Sequence, residues 1–280
     1  SAASDVYKRQ FKNTLLLNFK YLIISFPLTL IFALLLNEVK NVHFKKIVQT
    51  ISYLPHFISM VIVAGMVREI LSTSGPINNL ITKLGGEAIT FISLPEWFTT
   101  IFVTTGVWQG LGWGTILYLA AMSGINTELY EAAELDGANR FQQCLHVTIP
   151  AILPTISTLL VLNIGSLCGS AAFEKVFLLY TPTTYETADI IATYVYRMGL
   201  GSGNYSYATA VGLFQGVINL VLLTVANKVS SCCLYYGRFR NSGEIFPAGG
   251  EYAPQFPCAD FQAEAQLSEE IPKGGDNPVP

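Results

Sequence analysis

Long stretches without a charged side chain are the dominant pattern along this chain of 280 residues. Four of them carry no Asp, Glu, Lys or Arg: residues 47–67, 97–127, 141–173 and 198–227. A fifth apolar stretch, residues 15–36, contains only Lys20, whose ammonium can reach a membrane surface from a nearby helix end. Each stretch is long enough to cross a bilayer core, which takes about 20 helical residues.

These stretches predict helices, because a backbone amide inside a bilayer must find its partner within its own segment. The composition agrees, since 12% of the residues are charged, about half of the roughly 25% usual in soluble domains. The predicted fold class is therefore all-α, a polytopic membrane helix bundle. Its five predicted spans cover about residues 15–36, 47–67, 98–123, 149–173 and 207–226.

The lysines of the short loops predict the orientation of the bundle. The loop between the first two spans carries Lys40, Lys45 and Lys46, whereas the next loop, residues 72–96, carries only Lys83. Because Lys and Arg concentrate in cytoplasmic loops, the first of these loops is predicted to be cytoplasmic. Alternation along the chain then places the segment before the fourth span in the cytoplasm as well. We expect a multi-pass membrane protein.

Both ends of the sequence differ from the apolar body, residues 12–228. Residues 1–11 resemble translated adaptor sequence and are predicted to be non-native. Residues 229–280 are rich in Pro and Gly and contain more acidic than basic residues. That composition predicts a disordered or frameshifted tail. The membrane domain is thus expected to occupy residues 12–228.

One charged, helix-prone segment, residues 126–148, separates the third and fourth spans. A helix over 128–135 is predicted, with Asn126 or Thr127 as its cap and carboxylates in its first turn. Gly137 is expected to end it, and a second short helix should follow over residues 138–145. Two short helices bent at a glycine would form an exposed cytoplasmic protrusion, which we call the knob.

The residues of the knob resemble a known signature. The motif consists of Glu131-Ala132-Ala133, Asp136-Gly137-Ala138, Phe141, Ile149-Pro150 and Pro154. It is similar to the cytoplasmic loop of importer permeases of the ATP-binding cassette class. In that family the loop is a coupling helix that docks into a cleft of the ATPase subunit. The resemblance implies that six residues contact the ATPase: Glu131, Ala132, Ala133, Asp136, Gly137 and Ala138.

Other segments resemble the polysaccharide and oligosaccharide permease group of carbohydrate importers. They are Asn37-Glu38-Val39, Gln49-Thr50-Ile51-Ser52-Tyr53-Leu54-Pro55-His56-Phe57-Ile58, Gly110-Leu111-Gly112-Trp113-Gly114 and Tyr205-Ser206-Tyr207-Ala208-Thr209-Ala210. Family members have six core spans, so the first span of the importer permease fold would be missing here. The resemblance implies a permease domain over residues 12–228 that forms the translocation pathway for an oligosaccharide or other carbohydrate.

The resemblance also implies the partners. A second permease, ATPase subunits that carry ATP and Mg²⁺, and an extracytoplasmic solute-binding protein are expected, with lipid around the bundle and no nucleic acid. No cofactor is expected on this chain itself. The outer loops, residues 75–96 and 181–205, are predicted to receive the solute-binding protein.

Polar and aromatic side chains inside the spans are candidates for contact with substrate. A buried polar group in a membrane is costly and often functional, and indole or phenyl rings can stack on sugar rings. Interhelical hydrogen bonding and ordinary packing remain the alternative. The candidates are Trp108, Gln109, Trp113, Asn163, Ser166, Ser170 and Glu174.

No catalytic residue and no metal site is predicted. A phosphate-binding Gly-x-x-x-x-Gly-Lys-Ser/Thr loop does not occur in the sequence, so ATP hydrolysis is expected on a partner. The five cysteines show no metal-ligand spacing. The alternative function is an ion-coupled secondary transporter of small solutes, with His56 as a proton relay. It is disfavoured because no acidic residue accompanies His56 at mid-membrane.

Overall fold

A computed structural model describes residues 2–169 and 172–241, with side chains over 8–169 and 172–230. All regular elements in these residues are helical, which confirms the predicted all-α fold. The chain divides into two compact units, residues 1–237 and 238–280. Only residues 238–241 of the second unit are described, and they belong to the last helix.

Twelve α-helices make up the described part. The first six are α1 Ala2–Glu38, α2 Val42–Tyr53, α3 Met60–Ile70, α4 Pro76–Lys83, α5 Pro95–Ser123 and α6 Thr127–Leu135. The others are α7 Arg140–Gln143, α8 Ile149–Gly165, α9 Phe173–Leu179, α10 Tyr185–Ala188, α11 Ile191–Tyr196 and α12 Tyr205–Asn241. Short 3₁₀ turns cover Leu54–Phe57, Phe91–Ser93 and Pro182–Thr184, and π-helical turns cover Cys144–Thr148 and Arg197–Gly201.

Three described helical segments are long and apolar enough to cross a membrane: Lys8–Glu38, Arg140–Gly165 and Tyr205–Ser230. Two shorter helical segments, Val42–Phe57 and Met60–Ile70, could together form a fourth span, although they meet at 97°. The remaining predicted span corresponds to α5, which has 29 residues but is not one of these candidate segments. The protein is therefore a multi-pass helix bundle.

Two predicted spans differ from the observed helices. The span predicted over 47–67 is not one straight helix, because the helix stops at a 3₁₀ turn containing Pro55 and restarts at Met60. Pro55 has no backbone N–H to continue the hydrogen-bond ladder, and the Ser59 hydroxyl accepts from Val61 N to cap the new helix at 3.4 Å. The bend brings residues 54–59 beside α5.

The fourth predicted span, 149–173, also ends early, since α8 stops at Gly165. Polar side chains of α12 bind the turn that follows: Asn219 Oδ1 accepts from Cys168 N at 3.1 Å, and Gln215 Nε2 donates to Cys168 O. These bonds replace the helical partners that the backbone loses at this point. The break was not predicted, because its partners lie about 50 residues away in the sequence.

The described residues that flank the apolar body on both sides are helical in the structure. Residues 2–11, part of the segment predicted to be non-native, belong to α1. Gln10 is buried there, and its Nε2 donates to Asp189 Oδ2 at 2.8 Å. The predicted tail begins inside α12, which continues to Asn241, and residues 242–280 lie outside the described part. The origin of both ends stays a prediction.

Helix α5 lies at the centre of the packing, with α1 along its length. Its half near the predicted outer surface buries Phe98 and Phe102 against Val63 and Val176. Its other half buries Tyr118 against Ile152 and neighbouring side chains. By contrast, α1 and α12 expose many large apolar side chains, as expected for helices that face lipid.

The glycines of α5 permit close helix contacts. A Cβ added to Gly112 would lie within 3.0 Å of the backbone carbonyl group of Ser52 in α2. One added to Gly114 would lie 2.8 Å from Thr29 Cγ2 in α1. Small residues are favoured at membrane helix interfaces for this reason.

Candidate functional site: the cytoplasmic knob and three membrane cavities

The knob begins with a capped helix and bends at a glycine. Asn126 Oδ1 accepts from Glu128 N at 3.1 Å and caps α6. Gly137 follows the helix with φ of 77°, a left-handed conformation that costs other residues about 1–2 kcal/mol. Asn139 and Gln142 then form a capping box that starts α7. The predicted second helix is shorter than expected, because α7 passes into a π-helical turn after Gln143.

Two side-chain contacts connect the knob to membrane helices. The Tyr130 hydroxyl lies 2.9 Å from Thr148 Oγ1, at the start of α8. Arg140 forms an ion pair of 3.2 Å with Glu38, at the end of α1. Because both side chains of that ion pair are partly exposed, its contribution to stability is small, about 0–1 kcal/mol. Its position is more informative, since it joins the knob to a long membrane helix.

The surface of the knob combines carboxylates with exposed apolar side chains. Leu135 is 90% exposed and Phe141 is 73% exposed, which is unusual in a polar segment unless a partner covers them. The structure brings the six predicted coupling residues together around the bend. Four are exposed and two half-buried: Glu131, Ala132, Asp136 and Gly137, then Ala133 and Ala138. Leu135 was not among the predicted residues, although an apolar side chain at the end of a polar helix is a signal that sequence analysis can use.

Three cavities in the membrane part share lining residues. The first, about 540 Å³, is lined by Trp113 and Asn163, among others. The second, about 410 Å³, is lined by Gln109 and Glu174. The third, about 260 Å³, is lined by Asn163 and Ser166. Tyr21 of α1 lines all three, so the cavities are neighbours within the bundle.

An aromatic wall borders the first cavity. The His56 ring stacks on the Trp113 indole, with centroids 4.4 Å apart and planes 4° from parallel. Phe57 meets the same indole edge-on at 5.6 Å. The bend between α2 and α3 produces this wall, because it places His56 and Phe57 next to α5. Flat aromatic surfaces of this kind suit the apolar faces of sugar rings.

Five of the seven predicted pathway residues line these cavities: Gln109, Trp113, Asn163, Ser166 and Glu174. Trp108 does not line them, because it lies on a different face of α5 from Trp113. Ser170 lies outside the described residues. The structure adds Tyr21, His56 and Lys175, which the sequence did not single out as pathway residues.

Several polar side chains in the cavities also bond within the bundle. Gln109 Nε2 donates to Ile58 O at 3.1 Å and fastens the break between α2 and α3 to α5. Asn163 Nδ2 donates to Leu159 O at 2.7 Å. Their amide oxygens accept no hydrogen bond from the described residues, and so can accept from a ligand hydroxyl. The roles of these residues in transport stay a prediction.

A buried carboxylate organises the segment between α9 and α12. Asp189 is 2% exposed and accepts from Arg197 at 2.7 Å and from Gln10 at 2.8 Å. Burial alone would lower the pKa of Arg197, but the hydrogen bond and charge of Asp189 outweigh it and raise that pKa. The guanidinium therefore stays charged, and the Asp189 carboxylate that it pairs with ties the loop to the beginning of α1 through Gln10.

The family model described as "Binding-protein-dependent transport system inner membrane component" matches residues 1–230. The chain belongs to this family. The predicted resemblance to carbohydrate importer permeases is confirmed by the relatives described next.

Three relatives from Bacillus subtilis (strain 168) are similar over most of the chain. The polygalacturonan/rhamnogalacturonan transport system permease protein YteP is 46% identical over 220 residues, which are 78% of this chain and 68% of that protein. Protein LplB is 45% identical over 223 residues, 79% of this chain and 70% of that protein. The arabinooligosaccharides transport system permease protein AraP is 28% identical over 235 residues, 82% of this chain and 72% of that protein.

The fold matches solved structures of an importer. A bacterial ABC transporter involved in the import of the acidic polysaccharide alginate is 46% identical, with a TM-score of 0.78 over 81% of this chain and 79% of the matched chain. The same similarity is found with a bacterial alginate ABC transporter in complex with a periplasmic protein that holds an alginate pentasaccharide. The importer permease fold predicted from the sequence is therefore confirmed.

Proposed function

We propose that this chain is the membrane-spanning permease subunit of an ATP-driven importer that moves an oligosaccharide across the bacterial cell membrane. Family membership over residues 1–230 supports a role in binding-protein-dependent transport. The observation that carries the proposal is the knob, a bent and capped pair of helices that exposes Leu135 and Phe141 beside carboxylates. A surface of this kind fits a partner protein better than water.

The partner at the knob is proposed to be an ATPase subunit that holds ATP and Mg²⁺. ATP binding would close a pair of such subunits, and the knob would move with them. Because Arg140 contacts Glu38 and Tyr130 contacts Thr148, movement of the knob would reach α1 and α8 directly. The three cavities beside these helices would then open alternately to the two sides of the membrane.

A second permease and a solute-binding protein complete the proposed assembly. The alginate transporter in complex with a sugar-loaded periplasmic protein supports the latter. The outer loops, residues 75–96 and 181–205, are proposed to receive it. Substrate would then pass the aromatic wall of His56 and Trp113, where stacked rings can hold a sugar without many directional bonds.

Photocrosslinking from the knob tests the proposal. A photoreactive phenylalanine derivative replaces Leu135, which is 90% exposed, in cells that express the whole importer. The matched control carries it at Leu84, which is 80% exposed in the predicted outer loop. We expect an adduct with an ATPase subunit from position 135 and none from position 84. Absence of the adduct from position 135 would contradict docking at the knob.

The energy source separates this proposal from an ion-coupled carrier. Uptake of a radiolabelled oligosaccharide is measured after ATP depletion with the proton gradient maintained, and after collapse of the gradient with ATP maintained. An ATP-driven importer loses uptake only in the first case. Loss only in the second case would favour the secondary transporter instead.

A further inference from the structure

One cation lies among the three membrane cavities. Lys175 of α9 lines the second and third cavities. Its Nζ lies 4.6 Å from the centroid of the Phe102 ring and 4.9 Å from that of Tyr21. Gly106 of α5 leaves the space for it, because an added Cβ there would collide with both Nζ and the Tyr21 ring. The ammonium is therefore held at a defined position between two cavities.

No anion of the described part neutralises this ammonium. The two ion pairs among described residues are Arg140 with Glu38 and Arg197 with Asp189, so no carboxylate lies within 4.0 Å of Lys175. Contact with two aromatic rings stabilises an ammonium, but it does not replace the hydration that the ion loses on burial. A carboxylate in the cavity would therefore be bound favourably.

The third cavity suits an acidic sugar better than the second. Glu174 lines the second cavity and would repel an anion there. Among the described residues that line the third cavity there is no carboxylate, and they provide the amides of Asn18 and Asn163 and the hydroxyl of Ser166. One N–H of each amide bonds to a backbone oxygen, Asn18 to Leu167 at 2.8 Å and Asn163 to Leu159. The amide oxygens and the second N–H groups remain for sugar hydroxyls, and the ammonium is the one charged donor for a carboxylate.

We propose that Lys175 binds the carboxylate of a uronate unit in the third cavity and so selects acidic over neutral oligosaccharides. The inference rests on the proposed import function and names its substrate class. The names of relatives agree: those that are 46% identical include a polygalacturonan transporter and an importer of the acidic polysaccharide alginate. AraP and a lactose permease, named for neutral sugars, are each 28% identical.

Transport by the complete importer tests the assignment with two matched probes. One is tetragalacturonate, and the other is the same tetrasaccharide with its carboxyl groups reduced to alcohols. We expect Lys175→Met to lower the transport efficiency for tetragalacturonate about tenfold, the effect of one charge-assisted hydrogen bond. Efficiency for the reduced probe should change less than about twofold, and Lys175→Arg should keep most of the transport of the acidic probe.

The control variant is Lys20→Met, which removes an exposed lysine of α1 that lines none of the three cavities. It should leave transport of both probes unchanged. Equal losses for both probes in Lys175→Met would show a structural role for Lys175 and overturn the inference, with the import function intact. Failure of the unmodified importer to transport any saccharide would overturn the proposed function as well.

A second measurement needs no substitution. The assembled importer is treated with a small amine-acylating reagent, and acylation of Lys175 is quantified by mass spectrometry. Tetragalacturonate should protect Lys175, whereas the reduced probe should not, and acylation of Lys20 should be the same in all samples. Equal acylation of Lys175 with and without tetragalacturonate would contradict binding at this ammonium.

Discussion

The contact between α5 and the bent second span depends on Gly112, and replacing it with Ala should destabilise the bundle. The new Cβ would lie within 3.0 Å of the carbonyl group of Ser52, and 2.9 Å from Ser52 Cβ. A backbone group cannot rotate out of the way, so α2 and α5 must separate. Overpacking costs about 1–3 kcal/mol, and the backbone position of the clash places Gly112→Ala near the upper limit.

Substitution of two other glycines by Ala should have smaller effects on stability. A Cβ at Gly114 would meet the methyl group of Thr29 at 2.8 Å, and Thr29 is held by a bond of 2.8 Å to Ser25 O. A side chain can still adjust, so we expect a smaller cost, about 1 kcal/mol. Gly65 of α3 is exposed and has nothing within 4 Å of the added atom. Ala there should be neutral or stabilise by up to about 1 kcal/mol, through backbone entropy.

The effects of the three glycine substitutions on stability are measured by thermal unfolding of the purified proteins in lipid nanodiscs. For a chain of this size about 1 kcal/mol corresponds to a change of about 2–4 °C in Tm. We therefore expect Tm to fall by about 5–10 °C for Gly112→Ala, by less for Gly114→Ala, and to stay level or rise for Gly65→Ala. A Tm for Gly112→Ala within about 1 °C of the unmodified protein would refute the close contact of α2 and α5.

Two further substitutions test the knob and the outer network. Gly137→Ala should strain the bend by about 1–2 kcal/mol and lower oligosaccharide uptake more than ATP hydrolysis. Gly137→Asn should retain more uptake, because Asn tolerates positive φ. Equal uptake by the unmodified protein and both variants would contradict a role for the bend. Asp189→Asn should lower the free energy of unfolding by about 2–3 kcal/mol, as measured by thermal unfolding. Breaking a fully buried ion pair costs about 3–5 kcal/mol, and we expect less here because the Arg197 side chain is 32% exposed. An unchanged Tm would show that the ion pair does not stabilise the loop.

The sequence by itself determined the helical class, the approximate position of the spans and the exposed knob. These features depend on local patterns: uncharged stretches, a cap at Asn126 and a glycine at 137 that adopts positive φ. The family resemblance was also carried by local motifs, above all in the knob. Trp113 and Asn163, two of the predicted pathway residues, line the first cavity, and their contact with substrate stays a prediction.

Only the tertiary structure decided how the spans break and which side chains meet. The early end of α8 depends on Gln215 and Asn219, which are distant in sequence and bind Cys168. Lys175 lies in a segment predicted to be an outer loop, and nothing local places its ammonium between Tyr21 and Phe102. These contacts of Lys175 join residues separated by more than 70 positions, so they follow from the packing of α1, α5 and α9 rather than from periodicity or propensity.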